Sequence, residues 1–334
     1  MQAGDIQTKG HPMKTTTITY PSSDGASTIH ARLWEPDGSD SSGTACPGPR
    51  GVVQIVHGMS EHIGRYTGFA EFLCAAGFIV CAEDHVGHGK TAATADDLGH
   101  IPLRGGEDIL IEDVHTLREL VQRRCAAAHG SVPYIIFGHS MGSFITRVYL
   151  TRHGDGVAAA IICGTGQQAA VLTAAGKVLC RAIALVRGER HRSKLVDSMG
   201  AGAFNKDIQN PRTSVDWIST DPAVADAYVA DPLCGQVFTV GGYHTLSAVT
   251  ADSQKAALTA RIPKDLPMLF IAGAEDPVGE HGAAVHRAVE QYRSAGIGRV
   301  DETIYPGVRH EILNEPIKGQ VMADILAWVE ALGL

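Results

Sequence analysis

The chain has 334 residues, 44% of them hydrophobic, a formal charge of −8 and a mean hydropathy of +0.01, values that suit a soluble globular protein able to bury a large core without staples. The acidic balance excludes a nucleic-acid binder working through a basic face, and no run of about eighteen apolar residues offers a membrane span. The seven cysteines are odd in number, form no C-x-x-C and partly lie in apolar runs, as expected of buried thiols in a reducing, cytoplasmic compartment.

Residues 1–13 lack the apolar stretch of a secretory signal and read as a flexible leader. Two β-prone runs, 14–20 and 28–34, flank the turn cluster Pro21-Ser22-Ser23-Asp24-Gly25 and should pair antiparallel. Residues 36–50 are rich in Pro, Gly, Ser and Asp and read as a loop. From there strands at 52–56, 78–82, 134–137 and 158–163 alternate with helical patterns at 66–76, 107–128 and 143–150. The alternation resumes with strands at 268–272 and 300–305 and helices at 282–293 and 317–332. This order predicts an α/β fold with a mostly parallel central sheet flanked by helices. About a hundred residues interrupt it, too many for a simple connection. The expected layout is thus a core of 14–163 and 265–334 with a helical cap, 164–264, inserted between its halves.

The chemistry centres on Gly138-His139-Ser140-Met141-Gly142, a G-x-S-x-G run between a buried-strand pattern and a helical one. In that context Ser140 sits at the apex of a strained turn as a nucleophile, with small neighbours letting strand and helix approach. A serine hydroxyl needs an imidazole to take its proton and a carboxylate to orient that imidazole. Asp276 follows the 268–272 strand and His310 follows the 300–305 strand, in the chain order Ser, Asp, His. Glu275 competes with Asp276, and spacing does not separate them. Two backbone N–H groups must bind the oxyanion. They are assigned to Met141, after the nucleophile, and Met59, in the loop His57-Gly58-Met59-Ser60. His57 with His62 and His85 with His88 invite a metal reading, but H-x-x-H on a loop lacks the geometry that helix spacing provides, so no metal and no cofactor is expected.

With these residues in view, His57-Gly58-Met59-Ser60-Glu61-His62-Ile63-Gly64-Arg65-Tyr66 resembles the HG-x-x-EH-x-x-RY loop of monoacylglycerol lipases and bacterial lysophospholipase-like serine hydrolases. Asp84-His85-Val86-Gly87-His88-Gly89-Lys90-Thr91 is similar to their D-x-x-GHG-x-[ST] loop, and the elbow matches their GHSMG. Gly273 to Gly279 resembles G-x-x-D-x-VG, which favours Asp276 over Glu275, and Arg309-His310-Glu311 with Asn314-Glu315 resembles RHE-x-x-NE. The resemblance implies an α/β-hydrolase fold and a serine carboxylester hydrolase acting on single-acyl-chain lipid esters. It also implies that Glu61 and Arg65 lie near the alcohol side of the site, where they either contact substrate or brace the oxyanion loop. One departure concerns the head group: the mammalian lipases carry a second histidine three residues after the catalytic one, and here Leu313 stands there. Short-chain or aryl esterase, thioesterase and amidase chemistry use the same triad, and a non-catalytic binding protein is a further reading of the same fold.

Within the cap, residues 171–186 are largely apolar, with Lys177 and Arg181 on one side and Arg187, Arg190, Arg192 and Lys194 beyond. Such a helix either rests on an anionic membrane surface or packs as a cap helix with a solvated basic end. The expected partners are a small lipid ester and a peripheral membrane contact, without nucleic acid. Nothing in the sequence sets the oligomeric state.

Overall fold

The structure is a computed structural model that describes residues 13–37 and 48–334. Eight strands form one sheet: β1 (Met13–Pro21), β2 (Thr28–Pro36), β3 (Gly51–Val56), β4 (Phe78–Asp84), β5 (Tyr134–His139), β6 (Ala159–Cys163), β7 (Met268–Gly273) and β8 (Val300–Tyr305). Their spatial order is β1-β2-β4-β3-β5-β6-β7-β8. The first two strands pair antiparallel with each other, β2 pairs antiparallel with β4, and the remaining strands are parallel. Met13 opens β1; the rest of the expected leader and most of the expected 36–50 loop lie outside the described residues.

The central strands read as continuous apolar runs because both faces of the sheet are covered. Val53, Ile55, Ile135, Phe137, Ile161 and Ile271 point to one side, under α1 (Thr67–Ala75) and α10 (Lys318–Glu330). Val56, Ile136, Ile162 and Phe270 point to the other. There they meet α2 (Gly106–His129), α3 (Met141–His153) and α9 (Ala283–Ser294). The strict alternation is the period-two geometry of a strand expressed as two separate cores.

Between β6 and β7 the chain forms helices only: α4 (Ala170–Arg187), α5 (Lys194–Met199), α6 (Pro222–Ala230), α7 (Val240–Ser253) and α8 (Ala256–Thr259), with short 3-10 turns. Three helices here begin at a capping side chain. Ser193, Asp221 and Thr239 accept backbone N–H groups of α5, α6 and α7, respectively, and Pro222 stands in the first turn of α6. No helix is long and apolar enough to cross a membrane among the described residues.

Candidate active site

The turn from β5 into α3 places Ser140 at φ 54° and ψ −121°, a backbone state that costs a non-glycine residue about 1–3 kcal/mol and persists only where the surroundings hold it. Close packing holds it here. A Cβ on Gly142 would lie 2.0 Å from the Val56 carbonyl at the end of β3, and one on Gly138 would lie 2.3 Å from the Thr146 hydroxyl. Only glycine allows the start of α3 to press against β3. The Ser140 N–H donates to the Cys163 carbonyl (3.0 Å), pinning the turn to the neighbouring strand.

His310 follows β8, and its Nδ1 donates to Asp276 Oδ2 at 2.9 Å. A carboxylate only accepts, so this bond puts the proton on Nδ1 and leaves the Nε2 lone pair facing the cavity that Ser140 also lines. Asp276 is fully buried, and its Oδ1 accepts the Val278 N–H (2.9 Å). Glu275, its rival on spacing, is exposed. Met59 and Met141 both border the same cavity, and the N–H groups of neither donate a hydrogen bond among the described residues. Gly58 lies against the serine: a Cβ there would be 3.0 Å from Ser140 Cβ.

Glu61 organises the loop around these groups. Its Oε1 accepts the Gly58 N–H (2.6 Å) and the Tyr66 hydroxyl (2.7 Å), and its Oε2 accepts Arg65 Nη1 (3.0 Å). Burial opposes its ionisation, but His139 and Arg65 outweigh burial and hold the carboxyl well below its ordinary range. His139, the variable residue of the elbow, faces acceptors at both ring nitrogens: Tyr66 Oη (3.0 Å) and Glu61 (3.4 Å) at Nδ1, and the His310 carbonyl (3.4 Å) at Nε2. Burial works against its charged form, yet the Glu61 carboxylate raises its pKa above the ordinary histidine value. Glu61 borders the cavity, whereas Arg65 lies behind it, its guanidinium held bidentately by Glu311 at 2.6 Å on each nitrogen and laid over the Tyr228 ring at 4.9 Å. This ion pair ties the loop carrying His310 to the loop carrying Met59.

Beneath the His57–Ser60 stretch the histidines of the two family-like loops cluster. The His57 and His85 rings lie 4.1 Å apart, and His88 lies 5.2 Å from His57. His57 donates to the Gly58 carbonyl (2.8 Å) and accepts the His85 N–H (3.0 Å), a neutral pairing. Burial first, then the neighbouring His85, lowers His57 to about 3, and burial lowers His85 to about 4. Among the described residues one trio, His62, Asp231 and Cys234, brings possible metal-ligand atoms within 4.8 Å. There His62 Nδ1 accepts the Gly64 N–H (3.1 Å), so Nε2 bears the proton it shares with Asp231 (2.9 Å), and hydrogen bonding accounts for the His62–Asp231 pair.

Alongside, Glu83 accepts the Tyr20 hydroxyl of β1. Burial, reinforced by the charge of Asp84 and only partly opposed by Tyr20, pushes Glu83 up to about 8. Unfolded, this carboxyl releases its proton near 4.5, so the stability it contributes is full below that pH and declines as pH rises toward 8. Glu83→Gln is neutral at every pH and should remove that decline. Between about pH 5 and pH 8 its urea midpoint is expected to gain steadily on that of the wild type; parallel midpoints would show Glu83 to be ionised in the fold.

The cavity over Ser140 measures about 430 Å³. Its walls come mostly from the 164–264 segment: Leu172 and Leu179 of α4, Val196 and Met199 of α5, Tyr243 and Leu246 of α7, with Phe204 and Trp217 between. The Trp217 ring packs 4.9 Å from the His310 ring. Spacing along the chain carried no signal for several of these partners. The Tyr228 hydroxyl (2.8 Å) and the Gly235 N–H (2.9 Å) both donate to the Ser60 carbonyl, next to Met59. Arg309 donates to the carbonyls of Asp216 (2.7 Å) and Ser219 (3.0 Å). Leu313 is buried in the core under α10 and does not line the cavity.

With the geometry in hand, comparison with known proteins is informative. The family model Hydrolase_4, described as serine aminopeptidase, S33, matches residues 47–317. The chain is 30% identical over 308 residues to a monoacylglycerol lipase of Mycolicibacterium smegmatis, an alignment spanning 89% of this chain and 91% of that protein. It is 23% identical over 316 residues to the monoglyceride lipase of Homo sapiens, across 90% of this chain and 86% of that one. Among solved structures, a highly thermostable carboxyl esterase from Bacillus coagulans in complex with glycerol superposes with a TM-score of 0.85 at 29% identity, covering 96% of this chain and 99% of that chain. The chain belongs to the Hydrolase_4, serine aminopeptidase S33, family of α/β-hydrolases and is a carboxylic ester hydrolase.

Proposed function

We propose that the protein hydrolyses uncharged single-chain acyl esters of the monoacylglycerol type through an acyl-enzyme on Ser140. His310 takes the serine proton and later activates water, Asp276 holds the imidazole tautomer, and the Met59 and Met141 N–H groups bind the oxyanion. Residues 164–264 act as the cap that shapes the acyl site. The observation that carries the substrate class is the charge of the cavity wall. Three carboxylates, Glu61, Glu311 and Asp197, border it, and no lysine or arginine does among the described residues. Arg65, behind the wall, already offsets Glu61 and Glu311, so a phosphate would find no cation at the wall to pair with, whereas a head group of hydroxyls needs none and can donate to the acceptors that remain. The monoacylglycerol lipases among the relatives and the glycerol-bound carboxyl esterase agree with this reading. Monolauroylglycerol is expected to be cleaved at least about 30-fold faster, in kcat/KM, than the lysophosphatidate of the same acyl chain. Equal rates would sink the head-group assignment, and cleavage of p-nitrophenyl acetate in preference to the laurate would favour a short-ester enzyme.

The second element of this reading is a peripheral membrane contact through α4. Its solvent side carries Val171, Val178, Leu185 and Val186, each more than half exposed, with Leu195 and Met199 of α5 beside them. These α4 positions share one face at helical spacing, the reverse of an ordinary surface helix. Leu172 and Leu179 run from that face to the cavity, so a lipid surface there would adjoin the acyl entry. Of the basic residues, Arg190 is paired with Asp97 and Arg192 is tied down on the Val237 and Leu98 carbonyls, so the side chains without such a tie that can reach anionic lipid are Lys177, Arg181, Arg187 and Lys194. The six described cysteines are free and buried, in keeping with a reducing cytoplasmic compartment. Leu185→Glu with Val186→Glu should abolish cosedimentation with phosphatidylglycerol vesicles while soluble-ester activity is retained; undiminished cosedimentation would remove α4 as the contact.

A further inference from the structure

Arg147 is fully buried in α3, two turns beyond Ser140, and every group it binds is neutral. Its Nε donates to the Tyr292 hydroxyl (3.0 Å), Nη1 to the Thr165 hydroxyl (3.1 Å) and the Gly166 carbonyl (2.9 Å), and Nη2 to the Ser253 carbonyl (3.2 Å). A buried cation without a carboxylate is a poor way to gain stability, since an apolar side chain of similar size does as well or better. The positions of the acceptors give it another use. Thr165 and Gly166 are where the chain leaves β6 for the inserted helices, and Ser253 is where α7 ends on the way back to the core.

A second side chain repeats the pattern. Gln291 of α9 accepts from Gln167 (2.8 Å) on the outgoing loop and donates to the hydroxyl of Thr259 (3.2 Å), at the end of α8 on the way back. We propose that Arg147 and Gln291 form a clasp at the base of the inserted segment that fixes its tilt over Ser140 and so sets selectivity for acyl chain length. The lever is direct: α4 begins just past the outgoing tie and α7 ends at the returning one, and together they carry the cavity walls Leu172, Leu179, Tyr243 and Leu246. The clasp also reaches the acid. A Cβ on Gly166 would lie 2.3 Å from the Val278 carbonyl, and Val278 donates to Asp276. Arg147 and Gln291 are positioning residues; neither lines the cavity.

The inference rests on the ester-hydrolase reading and is tested with two variants and two readouts. In Arg147→Met the ratio of kcat/KM for p-nitrophenyl laurate to that for the acetate should shift by about tenfold, through KM for the laurate, with kcat for the acetate within about threefold of wild type. Gln291→Leu should shift it in the same direction by less, and amide hydrogen exchange at 164–168 and 250–259 should rise in both. An unchanged ratio in folded protein, or an equal loss on both esters, overturns the clasp. Should Arg147→Met fail to fold, Gln291→Leu decides by the same criteria. A wild type that cuts neither ester overturns the ester reading alone, and the exchange measurement then decides the clasp.

Discussion

Replacing Ser140 by alanine is expected to lower kcat by about a millionfold and to leave the fold intact. The size of the loss follows from the role proposed for the hydroxyl: without it no acyl-enzyme forms, and the oxyanion donors and binding cavity alone support only a small residual rate. The fold should survive because the hydroxyl supports nothing else; among the described residues it makes no hydrogen bond, so no partner is left orphaned. Alanine meets the same positive φ at a similar cost, and the glycines that accommodate the turn are untouched. Steady-state kinetics on p-nitrophenyl laurate, with labelling by a fluorophosphonate probe, checks it. Labelling of the variant, or activity within about a hundredfold of wild type, would place the nucleophile elsewhere.

Asp276→Asn should cost about ten-thousandfold in kcat with little change in stability. The substituted amide keeps an oxygen for the Val278 N–H now accepted by Oδ1, so the local backbone stays anchored. Its nitrogen, however, would meet His310 Nδ1 with a donor where the carboxylate accepts at 2.9 Å. The imidazole then favours the tautomer with its proton on Nε2, unable to take the serine proton. Glu275→Gln, at an exposed position, is the control and should leave kcat within about twofold. If the Glu275 variant carries the loss instead, the acid is misassigned.

The strand-end placement of Gly138 to Gly142, Asp276 and His310 was legible in the sequence because each position is fixed by local geometry. A strand followed by a tight turn determines where its next side chain sits, and small residues mark where backbones must touch. The mostly parallel sheet was legible for a similar reason: continuous apolar strands alternating with amphipathic helices leave few ways to cover both faces. Helix bounds moved by a residue or so, as with the predicted 107–128 helix, which runs from Gly106 to His129. The elbow helix departs more: predicted over 143–150, it begins directly after the nucleophile, at Met141.

What the tertiary structure alone decided involves partners far apart in the chain. Glu311 meets Arg65 and turns it away from the cavity, Tyr228 and Gly235 hold Ser60, Trp217 packs on His310, and Arg147 gathers Thr165, Ser253 and Tyr292. None of these pairings has a spacing that a helix or strand period would reveal, because each joins elements far apart in the chain that only long-range packing brings together. The sequence by itself determined where the proposed chemistry sits: Ser140 at a strained turn, with Asp276 and His310 each after its own strand. The shape and charge of the cavity came only from how the inserted helices sit over that serine. Local periodicity specifies an element's own face, whereas a cavity wall is the sum of faces from several elements whose relative placement long-range packing alone sets.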